Sequence, residues 1–453
     1  MASWYYAGQD LGFPGTGVGI PFQLSARHKR VSGKDASSKS ILFSSAVEGH
    51  VLVKNENGAL PLRNPEIINV FGYDGKTSDT YIPDGTPLGW ATGYSSWNQT
   101  QMIQFYTSNF TTPVSSIAQF GTLVGPGGSA GIHPGYISSP IEALSQRAHQ
   151  DDSSLWWDFS SSRPPVPAEN DACLVFINAA GTEAADRPSI DDTYSNELVL
   201  HVASHCNNTV VVVHNAWTRL VDSFVDHPNV TAIVFAHLPG QDSGRALVSL
   251  LYGDENFSGK LPYTVARNEE DYGSLLNPDT TTNETAGAIV QSDFAEGVLL
   301  DYRMFDALNI IPRYEFGYGL SYTSFAYSNL RLQKTVRYGQ RDYPAGAIKS
   351  GGAEDLWDTL ASVELDVANI GNVNGQEVVQ LYIMRPDGTK WLRGFDKIAL
   401  QPGETKSLML DLTRRDLSEW DVIKQQWRLL RGQIQILVAA SSRDVRLRGD
   451  LSL

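Results

Sequence analysis

The sequence predicts an α/β plus all-β fold, in which an α/β sandwich with a mostly parallel sheet is followed by a β-sandwich. Two patterns indicate it. Between residues 172 and 252, short apolar runs rich in β-branched residues alternate with stretches of helical spacing, as in right-handed β–α–β units whose sheet is covered on both faces. From about residue 355 the apolar period changes to two, which is typical of antiparallel strands with one buried face.

The first predicted elements precede this alternating region. Residues 38–53 place apolar side chains at helical spacing, which predicts a helix of about four turns. The apolar run Ile67–Phe71 is flanked by Pro65 and Gly72 and predicts a buried strand. Residues 73–116 are polar, aromatic and rich in Gly and Pro, so we expect a long loop or insertion there.

The next segments lead into the parallel sheet. Ile141–Ala148 predicts a helix, and residues 150–170, which contain Trp156 and Trp157, predict another loop. Strands are then predicted at Ala172–Asn178, Thr209–His214 and Val230–Phe235, and helices at Asn196–Ser204, Leu220–Phe224 and Gln241–Tyr252. In sheets of this kind, functional residues gather beyond the C-terminal ends of the strands.

The predicted β-sandwich spans roughly a hundred residues, as such domains usually do. Its strands are marked by apolar residues at every second position: Val363, Leu365 and Val367; Leu408, Leu410 and Leu412; Ile434, Ile436 and Val438. Turn signals at Gly371, Gly403 and Gly432 separate these runs.

Composition excludes several functional classes. The 453 residues include 35 Lys and Arg against 50 Asp and Glu, for a formal charge of −15. Without a basic tract, neither nucleic acid nor an anionic membrane is an expected partner. Two cysteines are too few for a disulfide scaffold or a four-cysteine zinc site. No HExxH, P-loop or paired CxxC motif occurs, and no metal or cofactor is predicted. Cys173 and Cys206 either pair or remain buried thiols.

The compartment signals point in two directions. Six Asn-X-Ser/Thr sequons in the first two thirds of the chain are typical of a secreted glycoprotein: Asn98, Asn109, Asn207, Asn229, Asn256 and Asn283. The N-terminus, however, lacks the charged and apolar regions of a signal peptide. Either the protein is intracellular, or the start of the chain lies upstream.

Several motifs have both a catalytic and a structural interpretation. Gly127–Gly131 fits the G-x-S-x-G elbow with Ser129 as nucleophile, but its glycines favour a tight structural or ligand-skirting loop. That stretch and Gly15–Gly19 lack the G-x-G-x-x-G spacing of a dinucleotide loop. His214 and His237 follow or end strands, where hydrogen-bonded rim histidines are favoured over metal ligands.

The most informative loop spans residues 178–188, immediately after an apolar strand. It carries Glu183, Asp186 and Arg187, with small residues around Glu183 that leave room for a ligand. One hypothesis makes Glu183 a general acid/base, with Asp186 and Arg187 forming ion pairs that hold the loop. The other makes it a solvated loop, and the chemistry alone favours neither.

Five ordered stretches extend over nearly the whole chain. They are Ser45–Asn55 with Leu60–Leu62, Val124–Gly131, Thr182–Arg187, Leu238–Pro262 and Tyr314–Phe325. Together they resemble the second domain of glycoside hydrolase family 3 enzymes, its Gly/Ser loop, its acid/base loop, its closing motif and the connector to a fibronectin type III-like domain. The sequence looks most like fungal-type secreted β-glucosidases, which agrees with the sequons.

The resemblance implies a retaining mechanism with two carboxyl groups ~5–5.5 Å apart. Glu183 matches the acid/base of the family, and Asp186 and Arg187 would support it near the site. To hold its proton near working pH, Glu183 would need a raised pKa, and burial by a sugar ring would raise it. The implied substrate is a β-glucoside or cello-oligosaccharide, and no cofactor is implied.

The sequence departs from the family pattern in two respects. The family nucleophile is an Asp on a preceding TIM barrel that is absent here, and Met1–Asp10 resembles the closing helix of that barrel, so we expect barrel and leader upstream. Ser292–Phe294 superficially resembles the nucleophile motif, but its position matches a later segment, and Asp293 is not assigned. Ala184 and Ala185 stand where some members carry an aromatic residue for the aglycone.

These arguments give four segments and two functional hypotheses. We expect a barrel-end remnant and linker at 1–37, the α/β sandwich at 38–265, a connector at 266–330 and the fibronectin type III-like domain at 331–453. The first hypothesis is a secreted, extracellular β-glucosidase that removes terminal non-reducing β-D-glucose, incomplete or inactive as this chain alone.

The alternative hypothesis is a catalytically inactive carbohydrate- or partner-binding remnant of such an enzyme. It predicts that the fluorescence of Trp156, Trp157 or Trp217 responds to glucose or cellobiose without turnover.

Overall fold

The chain divides into two units in the computed structural model, which describes residues 35–79, 115–127, 131, 135–183, 186–276, 294–335 and 341–453. The first unit comprises the described residues up to His50 together with Lys54–Glu255. The second comprises Val51–Val53 and Asn256–Leu453. Within the described ranges, no helix has the length and apolar character needed to cross a bilayer.

A six-stranded sheet organises the α/β part. Its strands are β1 Val51–Asn55, β2 Ile67–Phe71, β3 Ser154–Asp158, β4 Ala172–Ala179, β5 Thr209–Asn215 and β6 Val230–Phe235. They lie in the order β1-β6-β5-β4-β2-β3. The pairs β3/β2, β2/β4, β4/β5 and β5/β6 are all parallel, which confirms the predicted sheet.

Burial explains why these runs form strands. Every residue of β4, β5 and β6 is buried, so their continuous apolar, β-branched sequence suits a sheet covered on both faces. The covering helices are α1 Ser38–Gly49, α2 Pro140–Gln150, α3 Thr193–Ala203 and α4 Ser243–Leu251. Helix α3 packs on β4 and β5, whereas α4 packs against α1 and α2.

Helix α1 is shorter than the sequence predicts. The predicted helix at 38–53 ends at Gly49, and residues 51–55 form β1 instead. Glycine weakens a helix, and Val51 and Val53 are β-branched residues that fit a half-buried sheet. Both valines are buried, so tertiary packing takes them out of the helical pattern.

Two further predictions are wrong in the parallel-sheet region. The loop predicted at 150–170 contains β3, which pairs with β2 and extends the sheet; its Leu-Trp-Trp core consists of residues that favour strands. The helix predicted at Leu220–Phe224 is not formed: residues 222–226 are turns, and the Val221 carbonyl accepts from the N–H groups of Phe224 and Val225.

The cysteine alternative is decided by the fold. Cys173 lies in β4 and Cys206 precedes β5, with Cα atoms 6.4 Å apart, and the two form a disulfide. The bond links the N-terminal end of β4 to the segment just before β5, which is the neighbouring parallel strand.

The second unit contains an antiparallel sandwich from Phe325 onwards, as predicted. One sheet has the order β13-β10-β7 and the other β12-β11-β16-β17. The strands are β7 Phe325–Lys334, β10 Thr359–Asn369, β11 Gly375–Met384, β12 Lys390–Leu400, β13 Thr405–Thr413, β16 Gln433–Ala439 and β17 Val445–Ser452. The residues predicted at alternate positions of β10, β13 and β16 are all buried in one core.

Smaller elements complete the described chain. Two hairpins pair β8 Ile348–Lys349 with β9 Gly352–Ala353 and β14 Ser418–Asp421 with β15 Gln426–Leu429. The remaining helix is α5 Tyr302–Ala307, and short 3₁₀ segments lie at Gly240–Asp242, Glu269–Leu276 and Glu354–Trp357.

Candidate active site

Glu183 lies on the loop that follows β4, and a second loop holds its backbone. Its N–H donates to the Gly127 carbonyl at 3.3 Å, and the Gly127 N–H donates to Gly181 O at 3.0 Å. Thr182 and Gly127 thereby form a parallel bridge. The Glu183 side chain is exposed, so it stands on a backbone fixed from one side and faces solvent.

Two glycines permit this loop packing. A Cβ on Gly127 would lie 2.6 Å from Thr182 Oγ1, and a Cβ on Gly181 would lie 3.0 Å from the Ala216 Cβ. Side chains at these positions would push the loops apart. Gly127 is therefore explained by close backbone approach, while Ser129 of the same motif lies outside the described residues.

The segment after β5 holds the loop on its other side. Ala216 N–H donates to Ala179 O at 2.8 Å, and Arg187 Nη2 donates to Thr218 O at 2.9 Å. Arg187 thus anchors the far end of the Glu183 loop to a carbonyl group. Asp186 lies beside it with an exposed side chain.

A buried carboxylate connects the strands beneath this loop. Asp74 Oδ1 accepts hydrogen bonds from Asn178 Nδ2 and from the backbone N–H of Leu123, both at 2.8 Å. Its Oδ2 contacts His214 Nδ1, and His214 Nε2 lies 2.9 Å from Ser243 Oγ. Asp74, Asn178, His214 and Ser243 are all fully buried.

The electrostatics of this region follow from burial. Desolvation raises the pKa of Asp74, although His214, Asn178 and the Leu123 amide oppose that rise. Desolvation also lowers the pKa of His50 to about 3, against the opposing effect of its hydrogen bond to Ala46. His50 is therefore uncharged at ordinary pH. Loss of any one of its hydrogen-bond partners would leave the buried Asp74 carboxylate less stable.

The Asp74 network positions the Glu183 loop from two directions. Asn178 lies in β4, from which that loop continues, and it also exchanges hydrogen bonds with Ala118. Leu123 begins the segment that reaches Gly127. Because Asn178 and Leu123 both donate to Asp74, the network holds the start of the Glu183 loop and also the Leu123–Gly127 segment that packs against that loop.

Sequence reasoning missed Asp74 and misplaced His214. His214 is hydrogen-bonded as predicted, but it is fully buried and does not lie at a rim. The positions of Asp74, Asn178 and His214 could have indicated the cluster, because these residues lie at or just after the C-terminal ends of β2, β4 and β5. The C-terminal ends of parallel strands meet at one edge of a sheet.

Trp217 is an exposed aromatic residue beside the same loop. It follows Ala216, its side chain is 40% exposed, and its φ of 85° lies in the left-handed region. Asn215 Nδ2 donates to its carbonyl oxygen at 2.5 Å. A non-glycine residue held at positive φ is uncommon and is often found at functional sites.

The remaining predicted residues fall into two groups. Asn98, Asn109, Asn283 and Asp293 lie outside the described residues. Of the other sequons, Asn207 is exposed, whereas the amide nitrogens of Asn229 and Asn256 donate to Ala203 O and Asn374 O at 2.8 Å. Among the residues that the structure describes, no group of three or more His, Cys, Asp or Glu could hold a metal ion.

Known proteins resemble the chain over its full length. "Probable beta-glucosidase M" of Aspergillus niger is 48% identical over 454 residues, covering 100% of this chain and 56% of the relative. "Beta-glucosidase cel3A" of Pyricularia oryzae is 45% identical, covering 100% and 57%. The chain thus spans about half the length of the curated relatives it matches.

Solved structures show the same partial coverage. Beta-glucosidase D2-BGL from Chaetomella raphigera superposes with a TM-score of 0.80 at 32% identity, covering 100% of this chain and 59% of that one. Beta-D-glucoside glucohydrolase from Trichoderma reesei gives 0.76 at 32% identity, with the same coverage.

Family models match both parts of the chain. Residues 50–322 match the glycosyl hydrolase family 3 C-terminal domain, and residues 377–442 match the fibronectin type III-like domain. The first match alone covers more than half of the sequence. This chain belongs to glycosyl hydrolase family 3.

Proposed function

We propose that this chain carries the acid/base of a retaining β-glucosidase that removes terminal non-reducing β-D-glucose. The observation that carries the proposal is the placement of Glu183. It is an exposed carboxyl group on a loop braced by Gly127 on one side and by Ala216 and Thr218 on the other. The relatives named beta-glucosidase at 45–48% identity support the same activity.

The proposed chemistry divides one displacement into two steps. In the first, a carboxylate attacks the anomeric carbon while Glu183 protonates the glycosidic oxygen, so that the bond to the aglycone breaks and the aglycone leaves as an alcohol. In the second, Glu183 takes a proton from a water that attacks the glucosyl ester, which releases glucose and restores the carboxylate. The attacking carboxylate would come from protein outside these 453 residues, because the relatives are nearly twice as long. Arg187 and the Asp74 network hold Glu183 in position for both steps.

The substrate would be a β-glucoside or a cello-oligosaccharide. Support comes from relatives whose names specify β-glucosides. A secreted, extracellular location is part of the proposal, since the exposed sequon at Asn207 and the Cys173–Cys206 disulfide both suit an oxidising, glycosylating compartment.

The test measures release of nitrophenol from nitrophenyl β-D-glucoside. The 453-residue chain is compared with a longer form that carries the segment proposed to supply the attacking carboxylate, each as wild type and as Glu183→Gln. We expect turnover by the longer form, a loss of ~10²–10⁴-fold when it carries Glu183→Gln, and little or no turnover by the 453-residue chain alone.

The control for charge removal is Glu169→Gln, which changes an exposed carboxyl group just before β4. It should retain full activity. Turnover by Glu183→Gln at the wild-type rate would refute the acid/base assignment. Turnover by the 453-residue chain that Glu183→Gln abolishes would place the nucleophile within this chain, and Asp293 would be the next residue to change.

A further inference from the structure

Two neighbouring tryptophans are exposed on the last strand of the sheet. Strand β3 ends the order β5-β4-β2-β3, and its Trp156 and Trp157 are 48% and 58% exposed. Large aromatic side chains usually contribute most to stability when they are buried. Neither residue belongs to the Glu183 loop, because β2 separates β3 from β4.

A cavity of about 640 Å³ lies against this strand. On its floor, Asn69 and Phe71 of β2 pair with Trp156 and Asp158 of β3. Because strand residues two apart share a face, these four side chains lie on one side of the sheet. The following segment, including Pro165, also lines the cavity. The volume falls within the ~300–1,000 Å³ typical of small-molecule sites.

The floor contains a buried acceptor without a donor. Asn69 is fully buried, and its Oδ1 has no hydrogen-bond partner among the described residues. Such a group loses the hydrogen bond to water that it would make in the unfolded chain. Asn69 lines the cavity floor, but its side chain has no exposed surface in this structure.

The rim supplies both signs of charge. Partial burial raises the pKa of Asp158, but hydrogen bonds from Ser160 and Ser161 outweigh it and hold that pKa below its usual value. Lys76 lines the same cavity and forms an ion pair with Asp79 at 2.5 Å. The cavity thus offers a flat aromatic wall with a carboxylate, Asp158, and an ammonium group, Lys76, at its rim.

We propose that this cavity, the Trp156 cavity, binds a β-linked glucose oligomer as a site separate from the Glu183 loop. A pyranose ring has an apolar C–H face and a rim of hydroxyl groups, which matches an exposed indole bordered by Asp158 and Lys76. The choice of glucose rests on the proposed function. The existence of a sugar site rests on the cavity alone.

The test titrates the folded 453-residue chain with cellotetraose by isothermal titration calorimetry. We expect binding by the wild type, and an affinity reduced by ~10-fold or more in Trp156→Ala, since central aromatic contacts dominate such interfaces. Trp156→Leu retains an apolar side chain without a flat ring and should bind as weakly. If Trp156→Ala does not fold, Trp156→Leu decides the question.

Three controls separate the alternatives. Trp357→Ala removes a tryptophan of similar exposure, 53%, from the other unit and should bind like the wild type. Maltotetraose, which is α-linked, should bind more weakly than cellotetraose. Glu183→Gln should leave the affinity for cellotetraose unchanged. A failure of the acid/base proposal would therefore be distinguishable from a failure of the binding-site proposal.

Several outcomes would overturn the proposal. They are no binding of cellotetraose by the wild type, wild-type affinity in folded Trp156→Leu, equal weakening in Trp357→Ala, or equal affinity for maltotetraose. Sedimentation that shows self-association abolished by Trp156→Ala, without sugar binding, would instead identify this face as an interface between copies of the chain.

Discussion

His50 shows how burial sets the charge of a single residue. The ring follows α1, its Nδ1 lies 2.5 Å from Ala46 O, and burial lowers its pKa to about 3. His214 and His237 lower it further through their charges. The unfolded chain would titrate this histidine near its ordinary pKa of ~6.5, so the two states differ in protons bound between those values.

We therefore predict a pH dependence of stability that His50 controls. Between pH ~6.5 and about 3 the unfolded chain binds the extra proton, so the free energy of unfolding falls as pH falls through that window. The fall attributable to this residue is roughly 1.4 kcal/mol per pH unit. His50→Asn keeps an N–H donor but does not titrate.

Urea unfolding at pH 7, 6, 5 and 4 measures this effect. Over the range from about pH 6.5 down, the wild type should lose more stability than His50→Asn. Parallel decreases for the two proteins would show that another group is responsible.

At the scale of elements, the ends of β2, β4 and β5 meet around Asp74. Its two oxygens hold Asn178, Leu123 and His214, and His214 reaches Ser243 at the start of α4. Three strands and one helix are therefore joined by side chains rather than by the ladder alone. The Glu183 loop extends from one of these strand ends.

We predict that Asp74→Ala destabilises the first unit by ~3–5 kcal/mol, because it leaves buried polar partners unsatisfied. Asp74→Asn can still accept from Asn178 and Leu123 and can donate to His214, so its loss should be less than half as large. Urea unfolding compares the two variants. Equal losses would show that volume, and not hydrogen bonding, is what Asp74 contributes.

A second measurement tests whether Asp74 positions Glu183. In the longer form that the proposed function requires, Asp74→Asn should reduce kcat/KM more for cellobiose, whose leaving group needs a proton, than for dinitrophenyl β-D-glucoside, whose leaving group does not. A purely structural role would reduce both equally.

At the scale of the whole molecule, the disulfide and the sequons are the features that bear on the proposed secretion. The disulfide joins β4 to the segment before β5, and Asn207 is exposed immediately beside Cys206. By contrast, the Asn256 side chain accepts from Tyr322 N and donates to Asn374 O. One sequon is thus accessible to a glycosyltransferase, and another is engaged in the structure.

We predict that protein secreted from a fungal host carries a glycan at Asn207 and none at Asn256. Peptide mass spectrometry after enzymatic deglycosylation measures occupancy at each site. Asn207→Gln should lower the mass by one glycan, and Asn256→Gln should leave the glycan mass unchanged. An occupied Asn256 with an unmodified Asn207 would contradict the prediction.

The pattern of apolar residues predicted most helices and strands correctly, and it failed where tertiary packing decides the local structure. β4 to β6 and the alternating strands of the sandwich were predictable because burial on one or two faces imposes a period. Residues 150–170 were not, since a short edge strand with two exposed tryptophans carries no burial pattern. Val51 was assigned to the preceding helix because a short set of apolar residues fits the spacing of a helix and that of a strand equally well.

By itself, the sequence determined the two architectures, the family and Glu183 as the acid/base candidate, because periodicity and ordered motifs are local properties of the chain. Only the tertiary structure decided that Cys173 and Cys206 are bonded, that Asp74 lies beneath the Glu183 loop, and that β3 presents Trp156 beside a cavity. These depend on distances between residues far apart in the chain, which no local pattern encodes.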